Sequence, residues 1–152
     1  MEIRNKFWEK YKLEDLTRDE WELLCDKCGF CCSYKEYYSD INILIYTDLA
    51  CRQLNLENHQ CKNYKLRFEL EASCENFRDI INSTLHLYPD TCAYKLLSEN
   101  KKIPYWHPLL TGSYENIVKI VREELRLNLI SIDDISEDEK HLHIVKWVEY
   151  KK

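Results

Sequence analysis

A chain of 152 residues with 45% apolar and 32% charged residues is long enough to bury a core and too apolar to remain disordered. Its formal net charge of -5 excludes the broad basic field on which nucleic-acid binding rests. No stretch approaches the roughly 18 consecutive apolar residues of a membrane span. Two glycines and three prolines predict helices joined by ordered loops. The expected fold class is α+β and helix-rich: one small domain over 1–152, with irregular loops organised around a cysteine metal cluster.

Met1 to Trp8 mixes charges with aromatics and leads into no apolar run, so no secretory leader is expected and the chain reads as cytoplasmic. Thiols there stay reduced, which turns eight cysteines away from four disulfides and toward metal. Phe7, Trp8, Tyr11 and Leu13 predict one or two helical turns. Thr17-Arg18-Asp19-Glu20 is a capping box, flanked by Leu16 and Trp21 as a hydrophobic staple. A helix over 18–25 then delivers Cys25 from its last turn.

Ile41, Ile43 and Ile45 predict a short strand, and Thr47 is expected to open a short helix running to Leu54. Residues 55–64 read as a loop bearing His59 and Cys61, and Tyr64 to Leu70 as an extended piece. The lysines and arginine at Lys62, Lys65 and Arg67 read as a solvated face. Ser73 is the expected cap of a helix over 74–82, where Phe77, Ile80 and Ile81 sit at helical spacing. Pro89-Asp90-Thr91 starts a helix that buries Cys92, Leu96 and Leu97 and stops at Asn100. Two prolines make 103–108 an irregular aromatic loop. Ser113 is the expected cap of a helix over 114–125, with Ile117, Ile120, Val121 and Leu125 on one face. Leu127 to Ile132 reads as a strand, Ser136 to Glu139 as a second capping box or an acidic rim. His141 to Val148 fits strand and helix spacing equally.

Cys25-Asp26-Lys27-Cys28-Gly29-Phe30-Cys31-Cys32 places four thiols in eight residues, and Cys51, Cys61, Cys74 and Cys92 follow singly. Zinc and iron take thiolates at about 2.3 Å around a compact centre. Each CxxC lets two sulfurs converge across a tight turn, and Gly29 tolerates the positive φ of such a bend. Adjacent side chains diverge in extended backbone, so Cys31 and Cys32 imply two centres, a bridging sulfur, or one inert member. Beyond the two overlapping CxxC units of this cluster there is no further CxxC, and there is no HExxH. The scattered cysteines therefore imply a metal that ties 25–92 together, with binding coupled to folding. The bacterial ferredoxin spacing is matched by three cysteines and broken by Cys32. Spacing leaves zinc, iron and an iron–sulfur cluster open, in one or two centres.

These residues resemble the YkgJ-type cysteine-cluster family, named for CxxCxxCC and described as zinc- or iron-chelating, and within it the YcgN-like branch. The likeness runs from about Phe7 to Gly112. It includes Tyr46-Thr47-Asp48-Leu49-Ala50-Cys51-Arg52-Gln53-Leu54-Asn55, Cys61-Lys62-Asn63-Tyr64, Thr91-Cys92-Ala93-Tyr94-Lys95-Leu96-Leu97 and Trp106-His107-Pro108-Leu109-Leu110-Thr111-Gly112. The resemblance implies metal chelation and no defined reaction. Related sequences often read Cys-x-Cys where this chain has His59-Gln60-Cys61. The resemblance thus implies a ligand position for His59; the plainer expectation is a solvent-exposed loop histidine.

The expected site is Cys25, Cys28, Cys31, Cys32, Cys51, His59, Cys61, Cys74 and Cys92 around zinc or iron. His107 is expected to pack and satisfy its own hydrogen bonds, the alternative being an orienting or acid–base role. His141 and His143 would share one face of a strand with no third ligand, and Glu36, Asp40 and Asp48 read as solvated surface. The expected function is a metal-binding protein without an assigned reaction. The alternative is an iron–sulfur or open-site metal redox or transfer enzyme. Loop 103–110 is the expected surface for any protein partner, and neither nucleic acid nor membrane is expected.

Overall fold

In the computed structural model, which describes residues 2–71, 74 and 76–149, short helices surround a four-stranded sheet in an α+β arrangement. The N-terminal part follows its local signals. Helix α1 spans Phe7–Lys10 and α2 spans Arg18–Leu24. The capping box forms in both directions. The Glu20 amide donates to Thr17 Oγ1 at 3.2 Å, and the Thr17 amide donates to Glu20 Oε2 at 3.0 Å. Leu16 and Trp21 are buried in one cluster, which completes the staple.

Arg4 adds a clamp that the capping pattern does not contain. Its Nε and Nη2 donate to Glu20 at 2.9 and 2.6 Å, and its backbone amide donates at 3.0 Å. The Arg4 hydrogen bond outweighs burial and holds the Glu20 carboxyl down at about 2. A carboxyl depressed in the folded state stabilises fully above its unfolded value of 4.5, and this contribution fades as pH falls toward 2. Glu20→Gln is therefore expected to lower the thermal midpoint at pH 7 and to flatten the acid limb of the stability profile across that window. A variant with the wild-type acid limb would rule the clamp out.

Strand β1 (Ser33–Tyr38) and β2 (Ile43–Ala50) form an antiparallel hairpin. Strand β3 (Ile130–Ser131) pairs parallel to the end of β2, and β4 (Ile144–Glu149) pairs antiparallel to its first half. Strand β2 is thus flanked on both sides, and Tyr46, Thr47, Leu49 and Ala50 on it are buried. The β1–β2 register slips between Ser33 and Lys35. Thr47 Oγ1 donates to the Tyr34 carbonyl there at 2.7 Å, satisfying a group the slip leaves off the ladder.

Two expectations fail here. Thr47 to Ala50 opens no helix; it continues β2, because partners on both edges reward extended backbone more than the local cap rewards a turn. Residues 64–70 are not extended. They form a 3-10 turn at Tyr64–Leu66 and helix α3 at Arg67–Leu70, with the Arg67 guanidinium 3.8 Å from the Tyr64 ring centroid and 4.2 Å from that of Phe68.

Helix α4 spans Phe77–Thr84 and begins on Asn76, whose side chain accepts from the Arg78 amide at 3.2 Å. Ser73, the cap expected for that helix, lies outside the described residues. Helix α5 (Ala93–Ser98) ends before Asn100, which takes the left-handed φ of 57° expected of a helix stop. Helices α6 (Pro108–Thr111) and α7 (Ile117–Glu123) follow. Ser113 does not cap α7 but turns the chain before it, accepting from Glu115 at 3.0 Å. The strand expected over 127–132 shrinks to β3, while Leu127 and Leu129 turn into the core. Glu137–His143 is a 3-10 helix without a Ser136 side-chain cap, and 144–149 resolves as strand.

The buried residues make two clusters. One joins Phe7, Trp21, Leu24, Tyr94 and Leu97; the other joins Phe30, Tyr46, Leu54, Val121 and Leu129. The cysteine segment runs from one to the other, leaving α2 beside Leu24 and entering the second cluster at Phe30. Among the described residues, no helix is long and apolar enough to cross a membrane.

Candidate metal centre

Cys25 closes α2 in an extended conformation. Lys27 and Gly29 then take positive φ, 62° and 88°, and these two reversals coil the chain before the 3-10 turn at Phe30–Cys32. Gly29 is required for space as well as for φ. A Cβ there would sit 2.7 Å from Leu129 Cδ1 and 3.3 Å from His59 Nδ1.

The hairpin brings the next pair together, with the Cys51 amide donating to the Cys32 carbonyl at 2.6 Å. The loop after Cys51 closes through an isolated antiparallel bridge between Leu54 and Cys61 and through Lys62 N–H to Gln53 O at 2.7 Å. Cys74 follows α3, its amide donating to Glu71 O at 3.0 Å. Cys92 is the N-cap of α5.

Electrostatic coupling sorts these thiols. Cys25 is coupled to Cys92, Cys28 to Cys25 and Cys31, and Cys31 to Cys25 and Cys92. Cys32 is coupled to Cys51, Cys61 and Cys74, and Cys74 in turn to Cys51 and Cys61. Cys31 also feels its chain neighbour Cys32. The eight cysteines thus fall into a first set, Cys25, Cys28, Cys31 and Cys92, and a second set, Cys32, Cys51, Cys61 and Cys74. Among the described residues, no three His, Cys, Asp or Glu side chains stand close enough to hold an ion between them. The sets are neighbourhoods rather than closed cages.

Several sulfurs face backbone amides. Lys27 N–H donates to Cys25 Sγ and Gln53 N–H to Cys51 Sγ, both at 3.4 Å. The Phe30 amide faces Cys28, and the amides of Lys95 and Tyr94 face Cys92. Such donors favour the anionic sulfur. Surrounding protein opposes it: burial, joined by the Asp26 carboxylate, pushes the Cys25 thiol up to about 12. Burial likewise takes Cys32 to about 11 and raises Cys28, Cys31, Cys74 and Cys92. Solvent still touches Cys25 and Cys31.

His59 is not the exposed loop residue that composition suggests. It is 5% exposed, holds φ at 57°, and lies against the backbone carbonyls of Lys27 and Cys28. Its Nδ1 is buried and, among the described residues, has no hydrogen-bond partner. His107 is fully buried. Its Nδ1 accepts from the Leu109 amide at 3.0 Å, which leaves Nε2–H to donate to Leu24 O at 2.9 Å. Both nitrogens serve backbone groups, as the packing expectation requires. The ring caps α6 and pins the end of α2, the helix that presents Cys25.

His141 and His143 lie on the 3-10 helix, not on one strand face, and His143 Nδ1 pairs with Asp48 Oδ1 at 2.9 Å. Asp48 is accordingly half-buried, whereas Glu36 and Asp40 are exposed as expected. In the aromatic loop, Tyr105 is 73% and Leu110 49% exposed, while Ile103 is buried.

Sequence reasoning missed two charged residues at this site. Asp26 is 5% exposed and its Oδ1 accepts from the Cys28 amide at 3.0 Å. Lys35 donates through Nζ to Cys31 O at 3.0 Å and Ser33 O at 2.9 Å. The available signal was position: one charge inside the first CxxC, the other three residues beyond the last clustered thiol.

The chain is similar to the UPF0260 protein of Klebsiella pneumoniae, 48% identical over 107 residues that make up 70% of this chain and 72% of the relative. It is similar to the UPF0260 protein of Citrobacter koseri, 49% identical over 107 residues, 70% of each chain. It is also similar to the UPF0260 protein YcgN of Escherichia coli, 47% identical over 107 residues, again 70% of each. No protein-family model and no solved structure matches the chain. Near-half identity sustained over most of both partners establishes common descent: the chain belongs to the UPF0260 family.

Proposed function

We propose that this is a cytoplasmic CxxCxxCC metal-binding protein that holds zinc or iron in two thiolate centres. One is built from Cys25, Cys28, Cys31 and Cys92, the other from Cys32, Cys51, Cys61 and Cys74. The observation that carries this reading is the placement of the thiols: the coil at Lys27 and Gly29 gathers Cys25, Cys28 and Cys31, while the hairpin sets Cys32 beside Cys51, whose amide donates to the Cys32 carbonyl at 2.6 Å. The electrostatic effects of the thiols on one another agree with that division. Four sulfurs are what a tetrahedral zinc site or an iron–sulfur cluster takes. The amides aimed at Cys25 and Cys51 support an anionic state for the sulfurs.

A bound cation would reverse the preference that burial imposes, since a coordinating thiol is deprotonated outright. It would also draw each set inward, so ligation and folding would be coupled across 25–92. For zinc, four protein sulfurs leave no open coordination position, which favours a structural or chelating role over catalysis; an iron–sulfur cluster on the same sulfurs would keep the redox alternative. His59 supports the Lys27–Gly29 turn, and its buried Nδ1, without a hydrogen-bond partner among the described residues, is the ninth donor available to a metal.

Elemental analysis and visible spectra of protein purified without air test the proposal. The expected result is two metal centres per chain, colourless for zinc and brown for iron–sulfur clusters. Metal-free protein with all eight thiols freely titratable under native conditions would overturn it.

A further inference from the structure

Lys35 stands at the seam of the two thiol sets. The register slip in β1 leaves Lys35 opposite Tyr46, and its ammonium lies 5.4 Å from that ring's centroid. The two carbonyls it bonds, those of Cys31 and Ser33, flank Cys32. The ammonium is therefore tethered to the three residues where the chain passes from one set to the other. Burial disfavours this ammonium and lowers its pKa, while the Cys31 and Cys32 thiols, and after them Cys28 and Cys51, act in the opposite sense, so charge from both sets bears on it. Lys27 acts on Cys25, Lys95 on Cys92 and Arg67 on Cys74.

This placement answers a problem the two-centre reading creates. Four thiolates around a divalent ion carry a net charge of about -2. Two such centres meeting at consecutive residues repel each other, and partial burial keeps water from screening them well. We infer that Lys35 is the shared counter-ion of both centres, a positioning residue that lets Cys31 and Cys32 serve different ions. The inference rests on the two-centre proposal above. An ammonium has three donors, of which the two carbonyls take two and fix its place. Arginine would keep the charge; methionine would keep the stem and remove it.

The test is zinc competition between the full-length protein and a chromogenic chelator, for wild type, Lys35→Met and Lys35→Arg. Lys35→Met is expected to weaken both centres by about 10–100-fold, the scale on which groups supporting ligands act, and Lys35→Arg to restore most of that loss. Wild-type protein that takes up no zinc or iron would sink the two-centre proposal itself. Wild type holding two ions, with Lys35→Met holding both as tightly or losing only one, would sink the shared role alone. A Lys35→Arg variant as weak as Lys35→Met would sink it too, by showing that charge is not what matters. Should Lys35→Met fail to fold, Lys35→Gln read against Lys35→Arg decides the question by the same criteria.

Discussion

Replacing Cys31 by serine is expected to remove one metal centre and leave the other filled, and replacing Cys32 to remove the opposite one. The two are chain neighbours on one 3-10 turn, yet their surroundings differ. Cys31 is coupled to Cys25 and Cys92, while Cys32 lies across the hairpin from Cys51, whose amide bonds its carbonyl at 2.6 Å. Each single variant should therefore carry one metal centre where the wild type is expected to carry two. Losing a structural zinc forfeits a binding free energy on the order of 10 kcal/mol, part of which is folding free energy. The thermal midpoint should accordingly fall by more than about 10 °C in each. Double variants sharpen the test, because members of one site act as a unit. Adding Cys28→Ser to Cys31→Ser should cost little more metal. Adding Cys51→Ser to Cys31→Ser should empty the protein. If Cys31→Ser and Cys32→Ser each abolish all binding, or each leave the content unchanged, the assignment of neighbours to separate centres is wrong.

What could be foreseen followed the range of the interaction responsible. The capping box at Thr17, the staple of Leu16 with Trp21 and the stop at Asn100 are written within five residues, and the fold uses them as written. Thr47 to Ala50 carries an equally plausible local cap, but its conformation is decided by Ser33, Ile130 and Ile144, which pair with it from distant parts of the chain. The stretch at 64–70 looked extended because its apolar residues alternate with charges; in the helical form Arg67 stacks on both of its aromatics, Tyr64 and Phe68. At the candidate site, the thiols announce themselves by spacing. Their division into sets cannot be read that way, since it depends on Cys92 reaching Cys25 across 67 residues of chain. Lys35 and Asp26 were hidden for a related reason. A surface lysine and a buried counter-ion look alike until a register slip or a turn shows which way each points.

Gly29→Ala is expected to destabilise the protein far more than Gly112→Ala, although both glycines hold nearly the same backbone angle, 88° and 80°. The shared part of the cost is conformational: a Cβ in the left-handed region costs about 1–2 kcal/mol. The surroundings differ. At Gly112 an added Cβ meets nothing within 4 Å, whereas at Gly29 it would meet Leu129 Cδ1 at 2.7 Å and His59 Nδ1 at 3.3 Å. Neither neighbour yields easily, since Leu129 is 6% and His59 5% exposed. Forcing a methyl into such a place typically costs a further 1–3 kcal/mol or so. Denaturant titration should therefore show a loss of about 2–5 kcal/mol for Gly29→Ala against about 1–2 kcal/mol for Gly112→Ala. The loss should also fall unevenly on the metal. The turn at Gly29 sets the spacing of Cys25, Cys28 and Cys31, so the first centre should release zinc at lower chelator concentration while the second holds it. Equal losses for the two alanine variants would mean that His59 and Leu129 do not close on the turn, and that the coil carrying the first three thiols is held by something other than the contact that excludes a side chain from it.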